Sequence, residues 1–486
     1  MISIDEMATF CKKKGIAFPS AELYGGLSGF YDFGPIGVEL KNNIKAALWR
    51  SFVQQREDVL GIDGAIITHP KVWQASGHTA NFADAMVSCE KCKEVYRADT
   101  LIEDSLKLSA DGMAPDQMAA LLKDVSCPKC KGHLAMGNSF NLMFSTSVGP
   151  DKGLTAYLRP ETAQLIFTAF PTVVDVGRVK LPFGIAQEGK AFRNEISPRD
   201  FLFRTREFEQ FEIEFFCHPK KLQDCLPFDE IKELKVHLLA ADKTEHSLAI
   251  GDLLEKRIFK TAWHAYWVGL FYRWFLDHGI KASHLRIREH HKEELAHYAS
   301  ACFDIEYKFP FGWKEIHGDA DRSSFDLEQH AKAAKKELGI FDEESKEKVV
   351  PHVAAEPSQG IERALLAFLF DAYDFDKERG NVVLHLHPSI APVKVAVFPL
   401  VSNKPELMEA ARSVFEALRK HMPCIFDKSG SIGRRYARQD ETGTPFCVTV
   451  DFDSLTDGTV TVRDRDSTKQ ERIKKDDLLA HLLKNI

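Results

Sequence analysis

The chain has 486 residues, 44% of them hydrophobic and 28% charged, with a formal net charge of −7; this length calls for two or three folded domains rather than one core. No apolar run approaches the roughly 20 residues that span a bilayer, and the surplus of acid excludes indiscriminate nucleic-acid binding while leaving local basic patches open. No repeat recurs at a period of about 20 to 50 residues, which excludes solenoids and propellers.

The opening Met1-Ile2-Ser3-Ile4-Asp5-Glu6 has no basic stretch ahead of an apolar core, so it is not a signal peptide and a cytoplasmic protein is expected. A glycine-rich turn segment at 21–29 leads into 37–56, where Val38, Leu40, Ile44, Leu48, Trp49, Phe52 and Val53 recur at helical spacing. A strand-like run at 65–68 stops at His69-Pro70. Residues 88–137 read as an insertion, with two cysteine pairs around a helix-prone stretch at 111–124. Strands are expected at 181–186, 190–196 and 208–216, and mainly helices from 224 to about 286. A short strand at 351–356 precedes a helix at 358–373. Pro388-Ser389-Ile390-Ala391-Pro392 marks the clearest boundary; strands at 393–400, 446–451 and 459–463 and a helix at 404–421 then suggest a separate α/β domain.

The cysteines divide in the same way. Cys11, Cys217, Cys225, Cys302, Cys424 and Cys447 stand singly and read as free thiols in a reducing compartment. Cys89-x-x-Cys92 and Cys127-x-x-Cys130 have the spacing of a closed tetrahedral zinc site; two reduced pairs without metal are the alternative. His290-His291 and His385-x-His387 have no carboxylate or cysteine at matching spacing and read as core or surface histidines.

Chemistry concentrates in two segments. Phe192-Arg193-Asn194-Glu195 is followed, eight residues on, by Arg204-Thr205-Arg206-Glu207-Phe208-Glu209-Gln210-Phe211-Glu212. A strand, a polar loop and a return strand form a hairpin, and period two sets Arg193 and Glu195 on one face. Two guanidiniums, a carboxylate and a ring suit a nucleotide, with arginine at the α-phosphate and the ring on adenine. A salt-bridged edge hairpin accounts equally well for the same residues. The second segment, Glu356-Pro357-Ser358-Gln359-Gly360-Ile361-Glu362-Arg363, is a strand ending in glycine at a helix whose first turn carries arginine. Alone it is an ordinary helix start. Together, in this order, the two segments point to an ATP site.

These segments resemble motifs 2 and 3 of class II aminoacyl-tRNA synthetases, and the helix ending near Arg56 with the strand closing at Pro70 resembles motif 1, the dimer interface. Arg159-Pro160-Glu161-Thr162-Ala163-Gln164, Ala320-Asp321-Arg322, Glu356-Pro357-Ser358 and 432–446 narrow the resemblance to glycyl-tRNA synthetases of the dimeric type, over nearly the whole chain. The resemblance implies an α+β catalytic domain on an antiparallel sheet (1–390) with insertions at 88–137 and about 220–300, and a C-terminal α/β anticodon-binding domain (391–486). It implies ATP with Mg²⁺, glycine and tRNA(Gly) as partners, and a homodimer. Activation of glycine to glycyl-adenylate and transfer to the tRNA 3′ end would release pyrophosphate and AMP without a covalent protein nucleophile.

The family's roles carry over by motif position. Arg193 and Arg363 are the expected catalytic residues, Arg193 at the α-phosphate, with Arg204 and Arg363 on the bent ATP tail. Glu195 reads adenine and Phe208 stacks on it. Asn194, Phe203, Thr205, Arg206, Glu207, Glu315, Ile316, Gly360, Ile361 and Glu362 complete the ATP contacts, with Glu315 the candidate for Mg²⁺. Glu161, Glu212 and Glu356 surround the glycine ammonium, with Ser358 beside the α-carbon and Arg97 and Arg322 at the carboxylate or pocket wall. Phe208, Glu209, Gln210, Phe211, Pro357, Gln359 and Gly360 complete that pocket. The chain departs from the pattern at Leu165, where glycine is usual, and at Glu362, where aspartate is common. Arg434, Arg435, Arg438, Arg463 and Arg465 are candidate tRNA contacts. The smallest amino acid needs no editing site, and none is apparent. The rival readings are a synthetase for proline, threonine or histidine, which the glycine-type pocket opposes, and a non-catalytic nucleic-acid-binding relative, which the retained arginines oppose.

Overall fold

The computed structural model describes residues 2–108, 110, 113–150, 153–296 and 298–486. Helix α1 (Ile4–Lys14) starts on a capping box, in which the Ser3 side chain accepts from the Glu6 amide and the Glu6 carboxylate accepts from Ser3, and it ends at left-handed Gly15. Helix α2 (Pro35–Trp49) runs on through a π-helical turn, Arg50–Gln54. Its apolar stripe buries Leu40, Ile44 and Leu48, and Phe52 and Val53 of the turn extend it. Strand β1 (Val59–Ile62) follows close by, because a side chain at Gly61 would sit 2.4 Å from Trp49.

The insertion is a small module with its own core. Strands β2 (Met86–Cys89), β3 (Val95–Arg97) and β4 (Leu134–Met136) pair in the order β3-β2-β4. Val87, Leu101, Ile102, Met118, Leu122 and Leu134 are buried with them. The expected helix at 111–124 is a shorter one, Pro115–Leu121, ending in a 3₁₀ turn; Asp111 lies outside the described residues.

Helix α3 (Ala163–Gly177) then leads to β5 (Phe183–Phe192) and β6 (Glu207–Cys217). Here the structure corrects the sequence reading. A single strand replaces the two expected at 181–186 and 190–196, and it stops at Phe192, so Arg193 and Glu195 do not share a strand face. Long-range hydrogen bonds decide this: the Arg193 amide bonds Arg206 O at 2.9 Å and the Asn194 amide bonds Leu142 O at 2.7 Å. The Glu195 amide folds back on Arg193 O at 2.7 Å in a three-residue turn.

Residues 220–300 also differ from the mainly helical expectation. Besides helix α4 (Ala262–Asp277) they supply β7 (Lys235–Leu239), β8 (Glu245–Ala249) and β9 (Leu285–Glu289), which extend the central sheet. Strand β7 alternates buried Val236 and Leu238 with exposed Lys235 and His237, a signal too short to stand out beside α4, which is apolar nearly all round. Strands β10 (Ala301–Phe309), β11 (Gly312–Asp321) and β12 (His352–Gly360) and helix α5 (Ile361–Ala372) complete the core. The last strand runs four residues past the expected strand end at 356, carrying Ser358 and Gly360 on the sheet.

The nine strands order β8-β7-β9-β10-β11-β12-β6-β5-β1, antiparallel except for β5 with β1 and β7 with β9. One face packs on α2, α4 and α5; the other is covered at its lower end by α3 through Phe167 and Phe170 against Phe183 and Phe216. The uncovered upper end of that second face carries the polar residues. A single cross-strand row on it runs Arg288, Asp304, Gly318, Ser358, Glu212 and Gln187.

The C-terminal sheet orders β14 (Cys424–Phe426), β13 (Val395–Pro399), β15 (Phe446–Val450), β16 (Thr459–Asp464) and β17 (Gln470–Lys474), with α6 (Pro405–Leu418) packed on it through Leu407, Ala411 and Leu418. Helix α7 (Ile432–Asp440) corrects part of the arginine reading. Arg435 is buried and donates to Pro399 O and Gly430 O, Arg463 holds Asp440 at 2.8 Å, and Arg465 holds Asp466 and Gly443 O. Those three brace the domain. Only Arg434 is exposed and Arg438 partly so. No described helix is long and apolar enough to cross a membrane.

Candidate functional site

Alternation along β6 sorts its residues. Phe208, Gln210, Glu212 and Glu214 project from the polar face, and β12 sets Ser358 opposite Glu212 and Gly360 opposite Gln210. Glu212 is fully committed: Oε2 accepts from the Thr162 amide at 2.9 Å and from its hydroxyl, and Oε1 accepts from Ser358 Oγ at 2.7 Å and Gln210 Nε2 at 2.9 Å. Glu161 meets His78 Nε2 at 3.2 Å, and His78 Nδ1 meets Ser76 Oγ at 2.8 Å. Glu356 pairs with Arg322 at 2.5 Å, and Asp326 holds the same guanidinium, which lies 3.8 Å from the Tyr298 ring centre. Both oxygens of Glu214 are buried without a hydrogen-bond partner among the described residues.

Charge is therefore unbalanced. Burial, and then repulsion from neighbouring carboxylates, raises Glu214 well above the usual range; burial also raises Glu356 and Glu212. Burial opposes ionisation of Glu161 too, yet His78 and the arginines hold it below the usual range. Ionising Glu212, Glu214 and Glu356 together is therefore costly, and a small cation among them would offset that cost.

The neighbouring end is arginine-rich. A cavity of about 140 Å³ is lined by Arg193, Glu195, Phe203, Arg204, Thr205, Phe208, Gln210, Glu315, Ser358, Gly360, Glu362 and Arg363. It shares Phe203, Arg204, Glu315 and Arg363 with a wider cavity of about 480 Å³ that also takes in Arg97, Arg199, Arg288 and His290. Arg193 Nε donates to Pro160 O at 3.0 Å, and its guanidinium lies 5.3 Å from the Phe208 ring centre. Arg363 sits 4.6 Å from the Phe203 ring and pairs with Glu315 at 2.9 Å. Arg97, at the end of β3, pairs with Asp84 at 2.8 Å and approaches Glu195 at 3.7 Å. A planar ring slot beside several fixed guanidiniums can hold a base and its phosphates.

Other expected residues lie elsewhere, and alternation is again the cause. Phe211 points into the opposite core beside Trp49 and Phe52. Glu209 joins Lys41 and Lys45, each at 2.5 Å, on that same side. Ile316 and Ile361 are fully buried, Pro357 and Gln359 face away from Ser358, and Gln359 donates to Ile316 O. Glu362 touches the cavity edge, but its carboxylate accepts from the Glu209 amide at 2.8 Å. Glu207 pairs with Lys190. Thr205 Oγ1 bonds Glu207 O, and the Asn194 amide anchors the turn. Arg206 clamps Glu195 O and Ser28 O, a brace for the loop rather than a ligand contact.

Sequence reasoning missed His78, Tyr298 and Asp304. No local pattern marks them, since each meets its partner only through sheet register or a distant loop.

In the insertion the four sulfurs of Cys89, Cys92, Cys127 and Cys130 lie within 4.8 Å of one another. Two matching turns present them, closed by the Lys93 amide on Cys89 O and the Lys131 amide on Cys127 O. Gly132 is required, because a Cβ there would sit 3.0 Å from the Cys89 sulfur. A Tyr96 hydroxyl hydrogen bond lowers the Cys127 thiol to about 6. Four thiols gathered on two knuckles fit a closed structural zinc site.

Residues 147–238 match the tRNA synthetase class II core domain (G, H, P, S and T), and residues 394–485 match the anticodon binding domain. The chain is 46% identical to the glycine–tRNA ligase of Caldanaerobacter subterraneus subsp. tengcongensis, covering 99% of this chain and 98% of the relative. It is 46% identical to that of Acetivibrio thermocellus over 99% and 97%, and 45% identical to that of Geobacillus thermodenitrificans over 100% and 98%.

Proposed function

The chain belongs to the glycine–tRNA ligases of class II, and from that premise we propose that its carboxylate-walled end takes the glycine ammonium while the adjoining arginine-lined slot takes ATP. It activates glycine with ATP and transfers it to tRNA(Gly). The observation that carries the site assignment is Ser358, which lines the cavity with Arg193, Arg204 and Arg363 and whose hydroxyl donates to Glu212 on the neighbouring strand at 2.7 Å.

A glycine carboxylate oxygen attacks the α-phosphorus, the bond to the β-phosphate breaks, and pyrophosphate leaves. The hydroxyl of the tRNA terminal adenosine then attacks the adenylate carbonyl, and AMP leaves. Arg193 offsets charge at the α-phosphate, Phe208 stacks on adenine, and Arg204 and Arg363 hold the tail; the protein positions and stabilises without a covalent bond of its own. Glu315, paired with Arg363 at 2.9 Å, would hold the Mg²⁺ that accompanies ATP, an ion that would offset charge on the phosphate tail. Cys89, Cys92, Cys127 and Cys130 would hold zinc in a structural role, with all four positions filled by protein. Residues 1–390 act as the catalytic unit and 391–486 read the anticodon. Free thiols throughout fit a cytoplasmic setting.

Ser358 and Glu212 close the space beside the glycine α-carbon, so a β-methyl group has to displace a hydrogen-bonded network. In amino-acid-dependent pyrophosphate exchange glycine is expected to lead alanine and serine by about 10²-fold or more. Comparable exchange with proline, threonine or histidine would overturn the pocket assignment.

Two copies pair through α2 and the segment after β1. Supporting this, Ile66 and Ile67 are exposed along an open cleft of about 1190 Å³ that Asn42, Lys45 and Trp49 also line. Sedimentation equilibrium should give twice the 54.9 kDa chain mass; a single-chain mass at micromolar concentration would refute the pairing.

A further inference from the structure

His290 lacked a partner by sequence spacing, yet strand register supplies two. On the pair β9–β10, Arg288 stands opposite Asp304, and the His290 amide donates to Cys302 O at 3.0 Å, which sets His290 beside Cys302. Cys302 and Asp304 are two apart on β10 and share the polar face. One donor atom from each of His290, Cys302 and Asp304 lies within 4.8 Å of the others, and His290 Nε2 approaches Asp304 Oδ2 at 2.7 Å. The next strand leaves the place open. Gly318 stands opposite Asp304 and Ala320 opposite Cys302. A side chain at Gly318 would come within 3.7 Å of Asp304 Oδ1 and 3.8 Å of Glu315 Oε1.

We propose that His290, Cys302 and Asp304 form a second metal site, for a borderline-soft divalent ion such as Zn²⁺ or Co²⁺, with its open coordination positions facing the cavity that receives the ATP tail. An imidazole nitrogen, a thiolate and a carboxylate on one face are a three-ligand set that leaves room for water or a phosphoryl oxygen. Magnesium takes oxygen ligands, so this ion differs from the Mg²⁺ that travels with ATP near Glu315. Without metal, the His290–Asp304 hydrogen bond closes the gap. On binding, the metal takes the place of the hydrogen between His290 Nε2 and Asp304 Oδ2, which passes to His290 Nδ1 or to solvent, and Cys302 releases its proton to solvent. His290 and Asp304 line the wider cavity together with Arg288, Glu315 and Arg363, so a bound ion and a polyphosphate share one space.

The site is tested on full-length protein whose cysteine knuckle has been loaded with zinc, titrated with Co²⁺ without substrates. Because no nucleotide is present, the result is independent of where ATP binds. The wild type should take up one Co²⁺ with thiolate-to-cobalt charge-transfer absorption. Cys302→Ala should lose that absorption, and His290→Asn should bind at least about tenfold more weakly. Pyrophosphate added to the wild-type cobalt protein should change the visible spectrum. Equal cobalt uptake and an unchanged spectrum in Cys302→Ala overturn the site, as does a four-thiolate spectrum alone, which reports exchange into the knuckle. His290→Asn, at a partly exposed position, carries the test if Cys302→Ala does not fold.

Discussion

Replacing Arg193 with alanine is expected to lower glycine-dependent pyrophosphate exchange by about 10²–10³-fold while leaving the melting temperature nearly unchanged. The guanidinium is aimed in advance. Its Nε is tied to Pro160 O at 3.0 Å, and Phe82 and Phe208 flank its plane at 5.5 and 5.3 Å. A donor held this way needs no reorganisation when negative charge grows on the α-phosphate, which is why its loss falls on the chemical step more than on binding. The fold loses little, because the turn at 193–195 is set by backbone bonds to Leu142 and Arg206. Arg193→Lys should recover only part of the rate, since an ammonium keeps the charge without the planar fork. Steady-state kinetics separates the cases: a fall in kcat supports the role, a rise in KM for ATP alone moves it to binding, and exchange within about threefold of wild type contradicts it.

Stripping the metal from Cys89, Cys92, Cys127 and Cys130 should melt the insertion and weaken ATP binding together. The module packs few large apolar side chains around Val87, Ile102 and Leu134, and a core of that size does not hold itself without a staple. Structural zinc supplies about 10–16 kcal/mol of binding free energy, more than such a module stores otherwise. The consequence reaches the site through β3, which runs from the knuckle to Arg97. Tyr96 touches the Cys127 sulfur at 3.5 Å, and the next residue pairs with Asp84 and approaches Glu195. Hydrogen exchange should show protection lost at 86–97 and 134–136 after chelation and retained in β5 and β6, with a higher KM for ATP. Protein that carries less than about one-tenth zinc per chain and works normally would exclude the metal, because a structural site binds tightly.

How far the sequence reaches is clearest residue by residue. The two CxxC pairs are legible as a four-cysteine cluster across a 34-residue spacer because each pair is a local turn whose geometry its own residues set. Arg193, Phe208 and Arg363 suggest a nucleotide slot only in combination, because each segment alone reads equally well as a salt-bridged hairpin or an ordinary helix start. Along β6, period two separates Phe208, Gln210 and Glu212 from Glu209 and Phe211, but nothing local says which set faces substrate. The difference follows from α2 and the turn after it, whose Trp49 and Phe52 cover the face that carries Phe211. Arg206 looks like a phosphate ligand in sequence and is a backbone clamp, because its targets at Ser28 and Glu195 come together only after folding. Arg435, Arg463 and Arg465 likewise look like tRNA contacts and are spent on buried carbonyls and carboxylates.

The sequence by itself determined the reaction and the order of the domains through a family resemblance carried by short motifs, since such motifs keep their residue types and order whatever their distant partners. Only the tertiary structure decided that Glu214 is buried on the same face as Glu212, how Arg193 leaves its strand, and that His290 meets Cys302 and Asp304. Those outcomes are set by strand register, where a shift of one residue turns every side chain to the opposite face, and register is fixed by contacts far apart in the chain.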